Sequence, residues 1–140
     1  MTGNRVTPAE SVLALARRFF EGMNDVSELR EPLAGAEHAA QFVTLANETF
    51  FVIVRGGKVE FGAGARLSKD TVEGLYIVEV QDCLPALLDG DITLGEAIFH
   101  QKLRIPGYRN KEPMIARFSK FLRLGVWALV PAAQILMPAR

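Results

Sequence analysis

Residues 89–107 read DGDITLGEAIFHQKLRIPG, and this stretch carries the clearest structural signals in the chain. Thr93 is followed three residues later by Glu96, a capping box that predicts a helix over Leu94–Phe99. Lys102–Ile105 is typical of a short strand, and the Pro106-Gly107 pair that follows ends it. The stretch therefore predicts a short helix and a short strand in close succession.

Upstream of this stretch, the middle of the chain predicts a β-sheet. Gln41–Ala46 and Thr49–Val54 are rich in β-branched and aromatic residues, which favour strands. Gly56-Gly57 indicates a two-residue hairpin, because both positions of such a turn favour positive φ. The strand Lys58–Phe61 follows it, and Thr71–Val80 predicts another. Because the links between these strands are short, we expect an antiparallel sheet.

Two further helices are predicted from capping signals. A capping box over Thr7–Glu10, with proline at the first helical position, predicts an N-terminal helix over about residues 7–22. Asp82 is the expected N-cap of a short helix over Cys83–Leu88, which Gly90 ends.

The last predicted helix, residues 110–124, is both basic and amphipathic. Asn110 is its expected N-cap and Gly125 its expected stop. Its apolar stripe consists of Met114, Ile115, Phe118, Phe121 and Leu122. Its opposite side carries Arg117, Lys120 and Arg123. An apolar segment follows over residues 126–138, in which Gln134 is the one polar side chain.

Charge is sorted by position along the chain. Residues 101–140 contain eight basic residues and one acidic residue, and the resulting +7 balances the −7 of residues 1–100. Basic charge beside apolar surface favours contact with anionic lipid headgroups, so Arg117, Lys120 and Arg123 are predicted to dock on a membrane surface. Nucleic acid is not an expected partner, because the acidic remainder of the chain would repel a duplex.

Length and composition predict one folded domain over residues 1–140. The chain has 140 residues, of which 49% are hydrophobic, and this composition argues against intrinsic disorder. Cys83 is the single cysteine, and the N-terminus lacks a basic-then-apolar leader, so we expect a cytoplasmic protein. No apolar run reaches the roughly 20 residues that cross a bilayer, so membrane contact is expected to be peripheral.

Catalytic patterns are weak in this sequence. His38 and His100 are its only histidines, and neither His-x-x-x-His nor Cys-x-x-Cys spacing occurs. Gly-x-Ser-x-Gly is also absent, and Gly62-Ala63-Gly64 follows a hairpin, where no dinucleotide loop is found. We therefore expect no enzyme activity, no metal site and no cofactor. Three glutamates that alternate with apolar residues are expected on the wet face of the sheet: Glu60, Glu73 and Glu79.

Residues 89–107 also resemble the sterol carrier protein type 2 domain family. That family typically shows a glycine, a short gap and an Ala-Phe pair on a helix, then a Gly-Lys-Leu-x-Ile-x-Gly strand and a terminal helix. The matching residues here are Gly90, Ala97, Phe99 and the strand from Lys102 to Gly107, and the resemblance covers roughly residues 36–124. The chain departs from the pattern at Gln101, where the family usually has glycine, and at Tyr108, where a small polar residue is common.

The resemblance implies an α+β fold in which a five-stranded antiparallel sheet carries helices on one face, with an apolar tunnel between them. Family members bind sterols, fatty acyl chains and other lipids non-covalently, so the implied function is lipid binding or transfer without catalysis. The residues that we expect around the tunnel are Phe99, Leu103, Ile105, Phe118, Phe121 and Leu122. The residues that we expect to cover it are Trp127, Leu129, Ile135, Leu136 and Met137.

Two other functions remain open at this point. Some domains of this family resemble accessory factors that hold isoprenoid quinone intermediates for biosynthetic enzymes, and this chain is compatible with that role. Alternatively, the apolar segment 126–138 packs against a partner or a second copy, as exposed apolar patches often do. The identity of the lipid and the oligomeric state do not follow from the sequence.

Overall fold

The computed structural model describes residues 11–130, and within them the chain forms five helices and a five-stranded sheet. The helices are α1 (Val12–Gly22), α2 (Arg30–Ala34), α3 (Leu84–Asp89), α4 (Leu94–Phe99) and α5 (Glu112–Leu129). The strands are β1 (His38–Val43), β2 (Thr49–Arg55), β3 (Lys58–Ala63), β4 (Leu75–Glu79) and β5 (Leu103–Arg104). Short 3-10 turns lie at Met23–Asp25, Ser27–Leu29 and Tyr108–Lys111.

The sheet is mixed, with the strand order β3-β2-β1-β4-β5. Three pairs are antiparallel, but β1 and β4 are parallel, so the prediction of a purely antiparallel sheet is wrong at this pair. The physical reason is the connection over residues 64–74. It carries the chain from β3 at one edge to the far side of β1, and β4 therefore enters the sheet in the same direction as β1.

The side chain of Gln41 holds the start of this crossover connection. Gln41 is fully buried in β1, and its amide nitrogen donates to the carbonyls of Phe50 and Gly64 at 3.0 and 2.9 Å. Its amide oxygen accepts from the backbone N–H groups of Arg66 and Leu67 at 2.6 and 2.9 Å. All the hydrogen-bonding capacity of a buried amide is thus used to fix the connection, which makes its burial tolerable.

The end of the connection is fixed from α5. The ammonium group of Lys111, just before that helix, donates to the carbonyl oxygens of Thr71 and Gly74, both at 2.7 Å. A charged donor makes stronger hydrogen bonds than a neutral one, so this contact ties the parallel strand β4 to the start of α5.

The core lies between the sheet and helices α1 and α5, and it is largely aromatic. Phe20 of α1 is fully buried and its ring stacks on that of Phe121 of α5, with centroids 6.2 Å apart. On the sheet, the rings of Phe42 and Phe50 stack at 4.7 Å between β1 and β2. Burial of these rings contributes both the hydrophobic effect and favourable ring–ring geometry.

The helix α5 differs from its prediction at both ends. Asn110 lies in the preceding 3-10 turn, and Lys111 occupies the N-cap position without a side-chain hydrogen bond to the helix. The helix continues through Gly125 to Leu129, so Gly125 is not its stop. A Cβ at Gly125 would lie 2.6 Å from Cζ of Phe19, so glycine serves there to let α1 and α5 approach closely.

Two other turn signals behave as predicted. Thr93 and Glu96 form the reciprocal capping box of α4, and Gly56 and Gly57 have φ of 61° and 77° in the hairpin. The helix α1 begins at Val12 with Ser11 as its N-cap, whose hydroxyl accepts from Ala14 N–H at 3.1 Å. The capping box predicted over Thr7–Glu10 lies outside the described residues.

Glu79 is buried, and its predicted place on the wet face of the sheet is wrong. Glu79 is the last residue of β4. Its carboxylate accepts hydrogen bonds from the backbone N–H groups of Cys83 and Leu84 at 2.8 and 3.0 Å. Glu79 therefore caps the start of α3, the role that was predicted for Asp82. A further bond from Leu45 N–H, at 2.8 Å, ties in the turn after β1. Glu60 is exposed as predicted.

Candidate binding grooves

A groove of about 800 Å³, called here the first groove, lies between α4, β5 and α5 and is open to solvent. Its apolar wall consists of Val80, Ile98, Leu103, Ile105 and Ile115, and polar side chains at Gln81, Gln101, Arg104, Glu112 and Ser119 border it. An apolar wall with a few polar groups at its margin is the usual construction of a site for an elongated, mostly apolar ligand. The volume lies within the range of about 300–1,000 Å³ that is typical of small-molecule sites.

Phe99 lies at the rim of the first groove with 81% of its surface exposed. Phe99 is the last residue of α4, His100 is the C-cap, and Gln101 then takes a left-handed conformation with φ of 60°. Exposing an apolar ring to water costs free energy, so a ligand that covers Phe99 gains binding free energy from the burial of that ring.

A second groove, of about 740 Å³, lies on the other side of the contact between α4 and α5. Its walls include Leu87, Ile92, Leu94, Leu122 and Val126, with Trp127 at 42% exposure on its margin. Ala116 and Ser119 of α5 line both grooves, so the two are neighbours along the same helix.

The structure separates the predicted tunnel residues into groove and core positions. Leu103 and Ile105 are buried and line the first groove, and Leu122 is buried and lines the second. Phe118 and Phe121 are buried in the aromatic core.

The predicted cover residues are described only in part. Trp127 borders the second groove, and Leu129 ends α5 with its methyl groups 3.6 Å from where a Cβ of Gly22 would lie. Ile135, Leu136 and Met137 lie outside the described residues.

Sequence reasoning missed several groove residues. Ile98, Val80 and Tyr108 line the first groove, and Ile115 was assigned to the apolar stripe of α5 without a place at a site. The spacing of Ile98 and Ile115 on their helices could have suggested a shared surface, whereas Val80 and Tyr108 lie outside the strands and α-helices and carry no such pattern.

The three cations predicted to dock on membranes are all exposed on α5 but do not share one groove. Arg123 and Lys120 line the second groove, and Lys120 and Arg117 line a third groove on the other side of the helix. Within residues 11–130 none of the three forms an ion pair, in contrast to Arg66, which pairs with Glu60 at 3.0 Å. They form a positively charged ridge between the second and third grooves.

Two titratable groups near the core, Cys83 and His38, have pKa values that their surroundings shift toward the neutral form. Burial, together with the charge of Glu79, raises the pKa of the Cys83 thiol to about 12. Burial and the charge of Arg117 lower the pKa of His38 below its usual value. A protonated thiol is a poor nucleophile, so Cys83 is suited to packing.

Residues 11–130 contain neither a cluster of metal-ligating side chains nor a helix that could span a membrane. No group of three or more His, Cys, Asp or Glu side chains in this part of the chain is arranged to hold a metal ion. None of its helices combines the length and the apolar character needed to cross a bilayer.

Comparison with known proteins gives structural similarity alone. No protein-family model matches the chain, and no curated protein does. The fold is similar to that of protein TT1886 from Thermus thermophilus, described as a candidate sterol carrier protein. The TM-score is 0.54 and the identity 14%, over 84% of this chain and 87% of that one. It is also similar to the ubiquinone synthesis protein UbiJ-SCP2, with a TM-score of 0.51 and 15% identity over 81% of this chain and 91% of that one.

A third similar structure is part of an enzyme. A double mutant of the sec-alkyl sulfatase PisA1 matches with a TM-score of 0.55 and 14% identity, and the match covers 82% of this chain but 18% of the sulfatase. At such low identities the similarity concerns the fold alone, which this chain shares with these structures. The function therefore depends on the chemistry of the grooves themselves.

Proposed function

We propose that this chain is a non-catalytic lipid-binding domain that holds an elongated apolar ligand in the first groove. The observation that carries the proposal is the apolar wall of that groove, together with the exposed ring of Phe99 at its rim. The sterol-carrier-like fold supports it, because two structures of that fold bear descriptions that name a sterol carrier or ubiquinone synthesis.

The energetics of such binding need no catalytic group and few hydrogen bonds. Burial of a dozen methylene groups contributes roughly 10 kcal/mol, at about 0.8 kcal/mol per group, before the entropy cost of binding. The polar margin at Gln101, Arg104 and Glu112 is available to orient a headgroup. Sterol, fatty acyl and isoprenoid ligands all satisfy this description.

We further propose that the apolar segment after α5 covers the bound ligand and turns the open groove into the tunnel that the family resemblance implies. Ile135, Leu136 and Met137 would supply the covering side chains. This segment is almost entirely apolar, and it continues from the last turns of α5, where Val126 and Trp127 border the second groove, the neighbour of the first groove along that helix.

Displacement of a fluorescent fatty acid from delipidated protein tests the proposal. In the variant Ala116→Trp, an indole ring enters the junction of the first and second grooves, and we expect a loss of fatty-acid affinity of at least roughly tenfold. The matched control is Ala14→Trp, which places the same ring on the exposed side of α1. Equal fatty-acid affinity in both variants, or no binding by the wild-type chain, would overturn the proposal.

Membrane contact is the second part of the proposed function. The ridge formed by Arg117, Lys120 and Arg123 is exposed and free of ion pairs within residues 11–130, so it can approach anionic headgroups. Replacement of all three by Gln should weaken binding to anionic vesicles, and added salt should do the same. If vesicle binding responds to neither change, this ridge is not the membrane-contact surface.

One neighbour favours a second candidate function. The similarity to UbiJ-SCP2, a ubiquinone synthesis protein, supports a role as an accessory factor that presents an isoprenoid quinone intermediate to biosynthetic enzymes. Affinity purification from cell extract distinguishes the roles: co-purification of a quinone-modifying enzyme and altered quinone levels after deletion would favour the accessory role over a free carrier.

If the chain forms oligomers that dissociate on truncation after Val130, with lipid binding intact, segment 131–140 serves instead as an interface.

A further inference from the structure

The third groove, of about 530 Å³, lies between α5 and the segment that leads from α2 into β1. Its apolar wall consists of Pro32, Leu33, Ala36, Phe121 and Leu124. It shares Lys120 and Leu124 with the second groove and has no lining residue in common with the first. It is therefore a separate concave surface on the other side of the charged ridge.

The charge of the third groove is positive. Arg117 and Lys120 line it, neither forms an ion pair within residues 11–130, and Glu37 is the one acidic lining residue. Two unpaired cations beside an apolar wall complement a molecule with an anionic head and an apolar tail.

His38 lies in the third groove, and its pKa is sensitive to the positive charge there. Its ring lies 5.1 Å from that of Phe121 and 5.8 Å from that of Phe118, and it also lines the third groove. Burial and the charge of Arg117 hold its pKa below the usual value. This favours the neutral imidazole, whose ring N–H can donate a hydrogen bond to an anion.

We propose that the third groove is a binding site for a free amphiphilic monocarboxylate. The carboxylate lies between Arg117 and Lys120, and the alkyl tail lies against Ala36 and Leu124, which are only partly buried. A free amphiphile is favoured over the headgroup of a bilayer lipid, whose tails would remain in the membrane and leave the apolar wall uncovered. The proposal does not depend on lipid binding in the first groove.

Histidine ring resonances followed by NMR test the proposal in the wild-type chain, with octanoate as the probe. The chain has two histidines, and His100 is exposed beside Phe99, away from the third groove. We expect octanoate to shift the His38 resonances saturably and to raise the pKa of His38, because a nearby carboxylate stabilises the imidazolium. Uncharged 1-octanol should raise that pKa far less.

Matched variants on one helix locate the carboxylate. Arg117→Gln should weaken octanoate binding at least roughly tenfold, the usual worth of a charge-assisted hydrogen bond, whereas Arg123→Gln should leave it unchanged. Three results would overturn the proposal. One is a shift at His100 alone, another is equal weakening by both variants, and the third is a His38 response to anionic phosphatidylglycerol vesicles but not to octanoate.

Discussion

The carboxylate of Glu79 accepts a hydrogen bond from the backbone N–H of Cys83 at 2.8 Å, in the interior of the protein. The same side chain accepts from Leu84 and Leu45, so a single carboxylate joins the end of β4, the start of α3 and the turn after β1. Val80 and Gln81, which follow Glu79 directly in the chain, line the first groove. Glu79 thus anchors the strand end from which this part of the groove continues.

Replacement of Glu79 by Ala is expected to destabilise the fold strongly. The change leaves buried N–H groups without acceptors, and we expect the free energy of unfolding to fall by roughly 2–4 kcal/mol. Urea denaturation measures this. The control is Glu60→Ala, which removes an exposed ion pair with Arg66 and should cost less than about 1 kcal/mol. Similar losses in the two variants would contradict the capping role of Glu79.

Cys83 is expected to be inert in the folded protein. Burial raises the pKa of its thiol from 9.0 to about 12, so at pH 8 roughly a thousandfold fewer thiolates are present than in the unfolded chain. Ellman's reagent should therefore react slowly with the native protein and rapidly in urea. A fast reaction with the native protein would show that Cys83 is accessible and ionised.

The same pKa shift predicts a pH dependence of stability. Above pH 9.0 the unfolded chain releases the thiol proton while the folded protein keeps it, so the contribution of Cys83 is complete below pH 9.0 and is lost as the pH rises toward 12. In urea denaturation, the difference in stability between wild type and Cys83→Ala should shrink over that range. A difference that stays constant would contradict the shift.

The close approach of α1 and α5 at Gly125 predicts a large effect of a single methyl group. Gly125→Ala places a Cβ 2.6 Å from Cζ of Phe19 and 3.0 Å from Sδ of Met23, and we expect a loss of about 1–3 kcal/mol in the free energy of unfolding. Gly35→Ala is the control, because nothing lies within 4 Å of its Cβ position and its φ is negative. Thermal denaturation should show a lower midpoint for the first variant alone.

Replacement of Gln101 by glycine is expected to increase stability, whereas Gly125→Ala is expected to decrease it. Its φ of 60° is unfavourable for a residue with a side chain, so Gln101→Gly should stabilise the fold by roughly 0.5–1 kcal/mol. Gln81, which also lines the first groove, does not have positive φ, and Gln81→Gly should destabilise by a similar amount. If both variants lose stability, the left-handed conformation carries little strain.

Two local signals in the sequence predicted local structure correctly. The capping box of Thr93 and Glu96 and the hairpin at Gly56-Gly57 lie where the residues place them, because each depends on neighbours in the chain. The left-handed Gln101 also gives a physical reason for the glycine that the sterol carrier protein type 2 pattern shows at that position.

Features that depend on distant contacts escaped prediction. The parallel pairing of β1 with β4 depends on the hydrogen bonds of Gln41 to residues more than twenty positions away, and no local pattern marks them. Glu79 alternates with apolar residues as Glu60 does, and only the chain folded around it makes it a cap. Gly125 is typical of a helix stop, yet its role is to admit Phe19.

The candidate site was predicted as a set of apolar residues but not as a shape. Leu103 and Ile105 were placed on an apolar wall, and they line the first groove, whereas periodicity alone could not separate the exposed Phe99 from the core residue Phe118. Which side of a short helix faces water depends on how neighbouring elements pack, and that information is not local.

Photo-crosslinking tests the central claim most directly. A fatty acid with a diazirine in its acyl chain is bound to the delipidated protein and irradiated, and the labelled residues are mapped by tandem mass spectrometry. We predict labels on Ile98, Leu103, Ile105 and Ile115, which are suppressed in Ala116→Trp and retained in Ala14→Trp. Labels confined to residues outside the first groove, or an absence of labelling at saturating fatty acid, would contradict the claim.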